Sequence, residues 1–481
     1  MLKELNRKAL PATAPLPEKV VQFGGGNFLR AFSNWMIDRL NEERGFEGGV
    51  VVVKPTERGD YAALRKQDGL YHVVLKGIRQ GELVEEVRLI RCISRIIHPY
   101  HEYDAFLATA EIPSIRFILS NTTEAGIVFR EEAFPTERPP AEFPAKLTAW
   151  LYHRYRYFGG DAQRGCVMLP LELIEDNGGR LQACVLRCAA HWQLEEGFGQ
   201  WLGAHNVFCN TLVDRIVSGY PAEEAAGLQA RLGFRDELLV AGEYYHSWVI
   251  ESPQDLRAEL PFERTGMNVR FVDELRPYRE LKVRLLNGAH TAMVPLGYLC
   301  GLETVGQVMQ SAEVSSFIEA LLRQEVAPTL DLPPEEVHAY IDEVLDRFRN
   351  PSIHHRLLSI ALNSISKFRT RLLPSLLAYV ERKGELPRRI VFALAALIRF
   401  YAGRLGQQPI PLRDEEAVLR FFAAAWQQCD GSESSLRQLA ERVLGERRLW
   451  GKDLNELQGL RDQLSQYLSK NVTPEALKSL G

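Results

Sequence analysis

The sequence predicts an α/β protein in two parts, a doubly wound N-terminal domain over residues 1–274 and an all-helical domain over residues 275–481. Three observations carry that reading. Short β-branched runs alternate with amphipathic stretches through the first half, three consecutive glycines separate the first run from the first stretch, and β-type runs cease after about residue 275. A length of 481 residues also exceeds one ordinary core.

The first unit of alternation is VVQF at residues 20–23, the glycines Gly24, Gly25 and Gly26, and a stretch with Phe32, Trp35, Met36 and Leu40 at helical spacing. VVVV at residues 50–53 completes a βαβ pattern of the Rossmann type. Further strands are expected at residues 115–119 (IRFIL), 166–169 (CVML) and 245–250 (YHSWVI), with a helix in AKLTAWLYHRYRYF. Such alternation argues for a largely parallel sheet covered by helices on both faces. In the second half, Val337, Tyr340, Ile341, Val344, Leu345 and Phe348 follow helical spacing between a Pro-Pro start and an Asn350-Pro351 stop. IVFALAALI at residues 390–398 reads as a buried core helix, too short for a bilayer, and GRLGQQPIPLRD reads as a polar connection.

Composition narrows the function. A formal net charge of -4 gives no basic surface for nucleic acid, and no segment is long enough to span a membrane. Seven scattered cysteines suit reduced thiols in a cytoplasmic protein, and the one close pair, Cys184 and Cys188, lacks a second pair for zinc, so no metal is expected. The N-terminal segment has no apolar core of a secretory signal and is expected to form a surface arm.

A glycine turn between strand and helix can present backbone N–H groups to a phosphate. Against a dinucleotide cradle, Leu29 stands where G-x-G-x-x-G has its third glycine, and a plain turn remains an alternative. A methyltransferase loop fits less well, because Gln22-Phe23 precedes the glycines where an acid is usual. The ribose-binding acid is absent as well, since the second strand runs into Lys54-Pro55-Thr56. By chemistry alone, Lys54 and Arg58 leave a 2′-phosphate, and hence NADP, open.

A second informative stretch is LKVRLLNGAHTAMVP, with Lys282, Asn287 and His290 in a K-x4-N-x2-H spacing. On a continuous α-helix they point to about 0°, 140° and 80°, within one side. Burial lowers a lysine's pKa towards the range where it exchanges protons at neutral pH, and Asn and His can polarise a developing oxyanion. The plainer alternative is a snorkelling Lys, an Asn-Gly that ends or bends the helix, and a core His.

Together QFGGGNFLRAF, VVVVKPT, QDGLY, SNTTEAGI, NTLVDRIVSGYP, KVRLLNGAHTAMVP and FRNPSIHHRLLSIALNSISKFRTRLLP resemble the mannitol dehydrogenase family of long-chain polyol dehydrogenases over nearly the whole chain. The resemblance implies a metal-independent, NAD-linked oxidoreductase with a Rossmann-type domain, a helical domain and an active site in the cleft between them. It implies catalytic roles for Lys282, Asn287 and His290. It also implies cofactor contacts from Val21, Gln22, Phe23, Gly24, Gly25, Gly26, Asn27, Phe28, Leu29, Arg30, Ala31 and Phe32, and from Thr123 and Glu124. In the family's G-x-G-x-F-x-R-A pattern Leu29 takes a regular place.

Two departures separate the chain from mannitol-oxidising members. Leu173 stands where they carry an oxyanion-hole Asn, and Ser359 where they carry a substrate-contacting Arg. A uronate-type sugar acid is therefore the expected substrate, and its carboxylate needs a cation. Lys367, assisted by Arg371 or Arg369, is the expected partner, the alternative being that both arginines form a solvated helix face; Asp214 either fixes Lys282 or Lys367 or forms a surface pair with an Arg. The uronate's stereochemistry is left open, and a non-enzymatic NAD-binding module is the alternative of a different class.

Overall fold

The computed structural model describes residues 2–12, 14–122, 126–352 and 355–480. The chain divides into two compact units, Met1–Lys76 with Leu83–Leu275, and Gly77–Glu82 with Arg276–Gly481.

The first unit is built on a six-stranded, all-parallel sheet. Its strands are β1 (Glu18–Phe23), β2 (Gly49–Val53), β3 (Ile93–Ile97), β4 (Phe117–Ser120), β5 (Val167–Pro170) and β6 (Val207–Phe208). They lie in the order 3-2-1-4-5-6, which is that of a doubly wound dinucleotide-binding fold. Side chains alternate across the sheet. Val21, Phe23, Val51, Val53, Ile118 and Met168 enter one core, while Val20, Val50, Val52, Leu119 and Val167 enter the other. Both faces are covered, which explains why these strands read as continuous apolar runs.

The helix after the glycines begins earlier than its spacing suggests and is interrupted. α1 (Asn27–Ala31) ends at Phe32, whose φ of -116° and ψ of -83° leave the helical region, and α2 (Ser33–Arg44) follows. Ser33 Oγ lies 3.1 Å from both the Leu29 carbonyl and Gln22 Oε1, and such side-chain bonding to the preceding turn bends helices. On the opposite face α3 (Phe143–Tyr157) supplies Leu147, Trp150 and Leu151.

Three smaller sheets of two, three and four strands belong to neither βαβ half. The strand expected at residues 245–250 is Ser247–Glu251, and it pairs with Asn210–Asp214 and Val269–Val272 instead of joining the parallel sheet. A β-type run identifies a strand but not its partners, which are set by non-local contacts. The N-terminal arm is tied down, because Lys3–Glu4 pairs with Phe234–Arg235 and Arg7 Nη2 donates to the Ile93 carbonyl at 2.6 Å.

Among the described residues, the 276–481 part of the second unit is helical apart from a short hairpin, Arg404–Leu405 with Gln408–Pro409, inside the segment read as a polar connection. Its elements include α4 (Gly288–Leu299), α5 (Pro334–Arg349), α6 (Ser364–Arg371) and α7 (Arg388–Phe400). All of residues 390–398 are buried in α7, which packs against α4. Among the described residues, no helix is long and apolar enough to cross a membrane.

The N-terminus of α7 is held by one buried carboxylate. Glu325 Oε1 accepts from the Arg389 N–H at 2.9 Å and from Arg389 Nη1 at 3.2 Å, and Oε2 accepts from the Ile390 N–H at 2.8 Å. Two otherwise orphaned helix donors and a buried cation depend on it. Glu325→Ala is expected to lower unfolding stability by about 3–5 kcal/mol. Urea unfolding checks this, and a loss below about 1 kcal/mol would show that water replaces the carboxylate at little cost.

Candidate active site

The glycine turn is shaped from below. Gln22 is fully buried, and its Nε2 donates to the Gly24 carbonyl at 2.9 Å and to Asn34 Oδ1 at 3.3 Å, while Asn34 Nδ2 returns a bond to Gln22 Oε1 at 2.9 Å. The Tyr71 hydroxyl, 3.3 Å from Asn34 Oδ1 and 3.1 Å from the Arg30 carbonyl, completes the cluster. Gly24 has φ +122°, which L-residues rarely adopt, and its N–H donates to the Val53 carbonyl at 2.9 Å. Leu29 packs directly under this turn, since its Cδ1 would lie 2.7 Å from a Cβ on Gly24. The third-glycine position is thus filled by a side chain that the turn itself accommodates.

The three glycines are not equivalent. A Cβ on Gly25 would meet the Tyr61 ring at 3.0 Å, whereas a Cβ on Gly26 would meet nothing within 4 Å. Gly26 has an ordinary φ of -70° and stands at the start of α1, so among the described residues no neighbour requires a glycine there. The open space at the helix start fits the approach of a pyrophosphate.

The other residues read as cofactor contacts take varied places. Val21, Phe23, Ala31 and Phe32 are core, and Phe28 stacks on Phe32 with centroids 4.9 Å apart. Arg30 is buried, donates to the Leu238 carbonyl and to Asn27 Oδ1, and lies 5.3 Å from the Tyr71 ring centroid; burial lowers its pKa. Asn27, Gly25 and Gly26 carry the accessible surface of the loop. Of the two cations that leave a 2′-phosphate open, Lys54 is turned back on its own loop, its Nζ donating to the Thr56 carbonyl at 2.9 Å and to Thr56 Oγ1 at 2.8 Å, while Arg58 is exposed.

Thr123 and Glu124 lie outside the described residues. The chain leading to them is braced by Glu172, a residue that the sequence reading overlooked. This carboxylate, 2% exposed, accepts from Ser120 Oγ at 3.0 Å, the Thr122 N–H at 2.9 Å and Thr122 Oγ1 at 3.0 Å. Burial pushes it above the usual carboxylate range and these hydrogen bonds oppose the shift. The available signal was a single acid in the apolar stretch PLEL that follows β5. Its neighbour Leu173 is 60% exposed. Asp214 ends the strand Asn210–Asp214. Arg215 is buried and donates to the carbonyls of Ala31, Tyr244 and Tyr245.

In the second unit, Lys282, Asn287 and His290 lie on one uninterrupted helical rod that is not a continuous α-helix. Arg276–Leu281 is α-helical, Lys282–Asn287 is π-helical, and α4 resumes at Gly288. A π turn bonds i to i+5, so the angles expected from 100° per residue do not hold across it. Asn287-Gly288 neither ends nor bends the rod, because Gly288 keeps helical φ and ψ of -63° and -46°. A Cβ at Gly288 would approach Leu372 Cδ2 to 3.1 Å, so the rod and Leu372 pack closely there.

Lys282, Asn287 and His290 are half-buried. The Arg371 Nη1 of α6 reaches the Asn287 carbonyl and Thr291 Oγ1, both at 3.4 Å. Lys367 lies one turn earlier on α6, with Nζ donating to the Ile360 carbonyl at 2.7 Å. Burial lowers the pKa of both cations, and for Lys367 the charge of Arg371 adds to the effect while Asp414 opposes it. Arg369 instead lies against Gly451, and Ser359 is exposed. The His290 ring is flanked by Phe348 and His355.

A family model described as the mannitol dehydrogenase Rossmann domain matches residues 18–264, and one described as the mannitol dehydrogenase C-terminal domain matches residues 274–471. The chain belongs to the mannitol dehydrogenase family. Altronate oxidoreductase of Yersinia enterocolitica is 48% identical over 97% of both chains, and that of Bacillus subtilis is 48% identical over 97% of this chain and 95% of its own. Among solved structures, a substrate-free D-sorbitol dehydrogenase superposes with a TM-score of 0.77 at 25% identity, covering 98% of this chain and 97% of its own. Mannitol 2-dehydrogenase of Pseudomonas fluorescens, solved with NAD and D-mannitol, shares the fold with a TM-score of 0.65 at 22% identity over 99% of both chains. For a member of this family the glycine turn carries a direct expectation. Gly26→Ala should change stability by no more than about 0.5 kcal/mol yet weaken dinucleotide binding at least about tenfold, whereas Gly24→Ala should also cost about 1–3 kcal/mol of stability. Thermal unfolding and NADH fluorescence titration separate the two, and unimpaired binding by the Gly26 variant would remove the cradle.

Proposed function

We propose that the chain is an NAD-dependent oxidoreductase interconverting D-altronate and D-tagaturonate, with residues 1–274 binding the cofactor and residues 275–481 the substrate. The observation that carries this is identity of 48% to altronate oxidoreductases over 97% of the chain. The glycine turn with an open Gly26 supports a dinucleotide, and the Lys54 ammonium, committed to Thr56, supports NAD over NADP.

NAD, when bound, takes hydride from the carbinol carbon, and NADH returns it. In oxidation the Lys282 amine takes the proton of the alcohol, and in reduction its ammonium gives that proton to the carbonyl oxygen. The Asn287 amide and a His290 ring N–H donate to the same oxygen, which gains negative charge when a ketone is reduced. Arg371, half-buried beside Asn287, and Lys367 on the same helix supply positive charge for a carboxylate. That charge is what distinguishes a sugar acid from mannitol. The substrate is a small molecule, and nucleic acid has no part in this reading.

The decisive assay compares altronate, mannonate and mannitol with NAD and NADP. Turnover should be fastest with altronate and NAD; faster mannonate oxidation would assign the sister uronate reaction, and NADH binding without any turnover would leave a binding module. Lys282→Ala should lower kcat by about 10²–10⁴ with NADH affinity unchanged, since the amine acts on the proton in flight and not on the cofactor. Near-normal turnover in that variant would sink the mechanism.

A further inference from the structure

His290 is held between two flat side chains. Its ring centroid is 4.6 Å from that of Phe348 at an interplanar angle of 50°, and 5.2 Å from that of His355 at 75°, an edge-on arrangement. Phe348 is buried near the end of α5. The backbone from His355 to Leu357 is pinned. The His355 carbonyl accepts from the Val305 N–H at 3.0 Å, Arg356 bridges to Thr304, and the Leu357 N–H donates to the Glu303 carbonyl at 2.9 Å. Thr304 in turn caps the helix Val305–Gln310 through a reciprocal capping box with Gln307. The second imidazole is therefore carried on a fixed strand of chain.

An imidazole is free over a broad, roughly two-fold range about its outer torsion, so a His that must aim one N–H at a reacting oxygen needs neighbours that set its plane. We propose that His355 is a positioning residue for the reaction, setting together with Phe348 the plane of the His290 imidazole so that its N–H points to the substrate oxygen. The proposal rests on the catalytic reading of His290. Burial lowers the pKa of His355, which favours its neutral ring beside His290. His355 is half-buried, as a wall of a site open to substrate should be.

Steady-state kinetics of the full chain with altronate and NAD test this in five variants. H355A should lower kcat about 10- to 100-fold, as a displaced catalytic group does, while KM for NAD stays within about twofold. H355F restores a flat wall and should recover kcat to within about threefold of the parent, whereas H355L, of similar bulk but not planar, should stay slow. The double variant H290A/H355A should be no slower than H290A, because His355 acts through His290. Normal kcat in H355A, equal rates for H355F and H355L, or losses that multiply in the double variant would each overturn the proposal. Should H355A fail to fold, the H355F and H355L pair still decides it. Normal turnover in H290A would instead remove the catalytic reading on which the proposal stands.

Discussion

Two buried carboxamides exchanging hydrogen bonds set the geometry of the glycine turn. Gln22 sits on a strand whose neighbours on the same face are apolar, and a buried amide without partners would cost about 1–3 kcal/mol. Asn34 supplies that partner from α2, and the Gly24 carbonyl takes the remaining proton. The positive φ at Gly24, the packing of Leu29 beneath it and the start of α1 all follow from where that carbonyl is held. Gln22 therefore serves the nucleotide indirectly, by shaping the backbone that would meet it.

The second unit uses the same economy of means with a charge. Glu325 belongs to another π-helical turn, Leu321–Val326, and places its carboxylate on the first N–H groups of α7. α7 is the apolar centre against which α4 rests, and α4 carries His290. Arg371 ties α6 to the same rod through Asn287 and Thr291. Tyr401, whose hydroxyl donates to Asp414, is buried behind the start of α6.

Much of this was legible in the sequence where side-chain periodicity or backbone chemistry is local. The β-branched runs of β1 and β2, the glycine turn, α5 with its prolines and α7 with its apolar run at residues 390–398 follow from patterns a few residues long. What was not legible depends on distant partners. The strand Ser247–Glu251 shows no mark of the sheet it joins, and the break at Phe32 depends on a Gln one strand away. Of the two arginines in SKFRTRLLP, equally placed to assist Lys367 by composition, only Arg371 meets the Asn287 rod, because α6 turns Arg369 towards Gly451. Glu172 and His355 escaped notice for a related reason: each is an unremarkable residue in its own segment and gains a role from groups brought to it by the fold.

The π turn at Lys282–Asn287 has a bearing on how this rod can change. An i to i+5 turn holds one residue more than an α turn, so Lys282 is phased from one helical register and His290 from another. Deleting one residue within the turn would return the rod to plain α-helix with its two parts in nearly the directions they have now, because the widened turn already takes up the angle of one residue. The same loss from a plain α-helix would rotate one part against the other by about 100°. The π turn is thus the one stretch of the rod where the length of the chain and the phase of Lys282 against His290 are uncoupled.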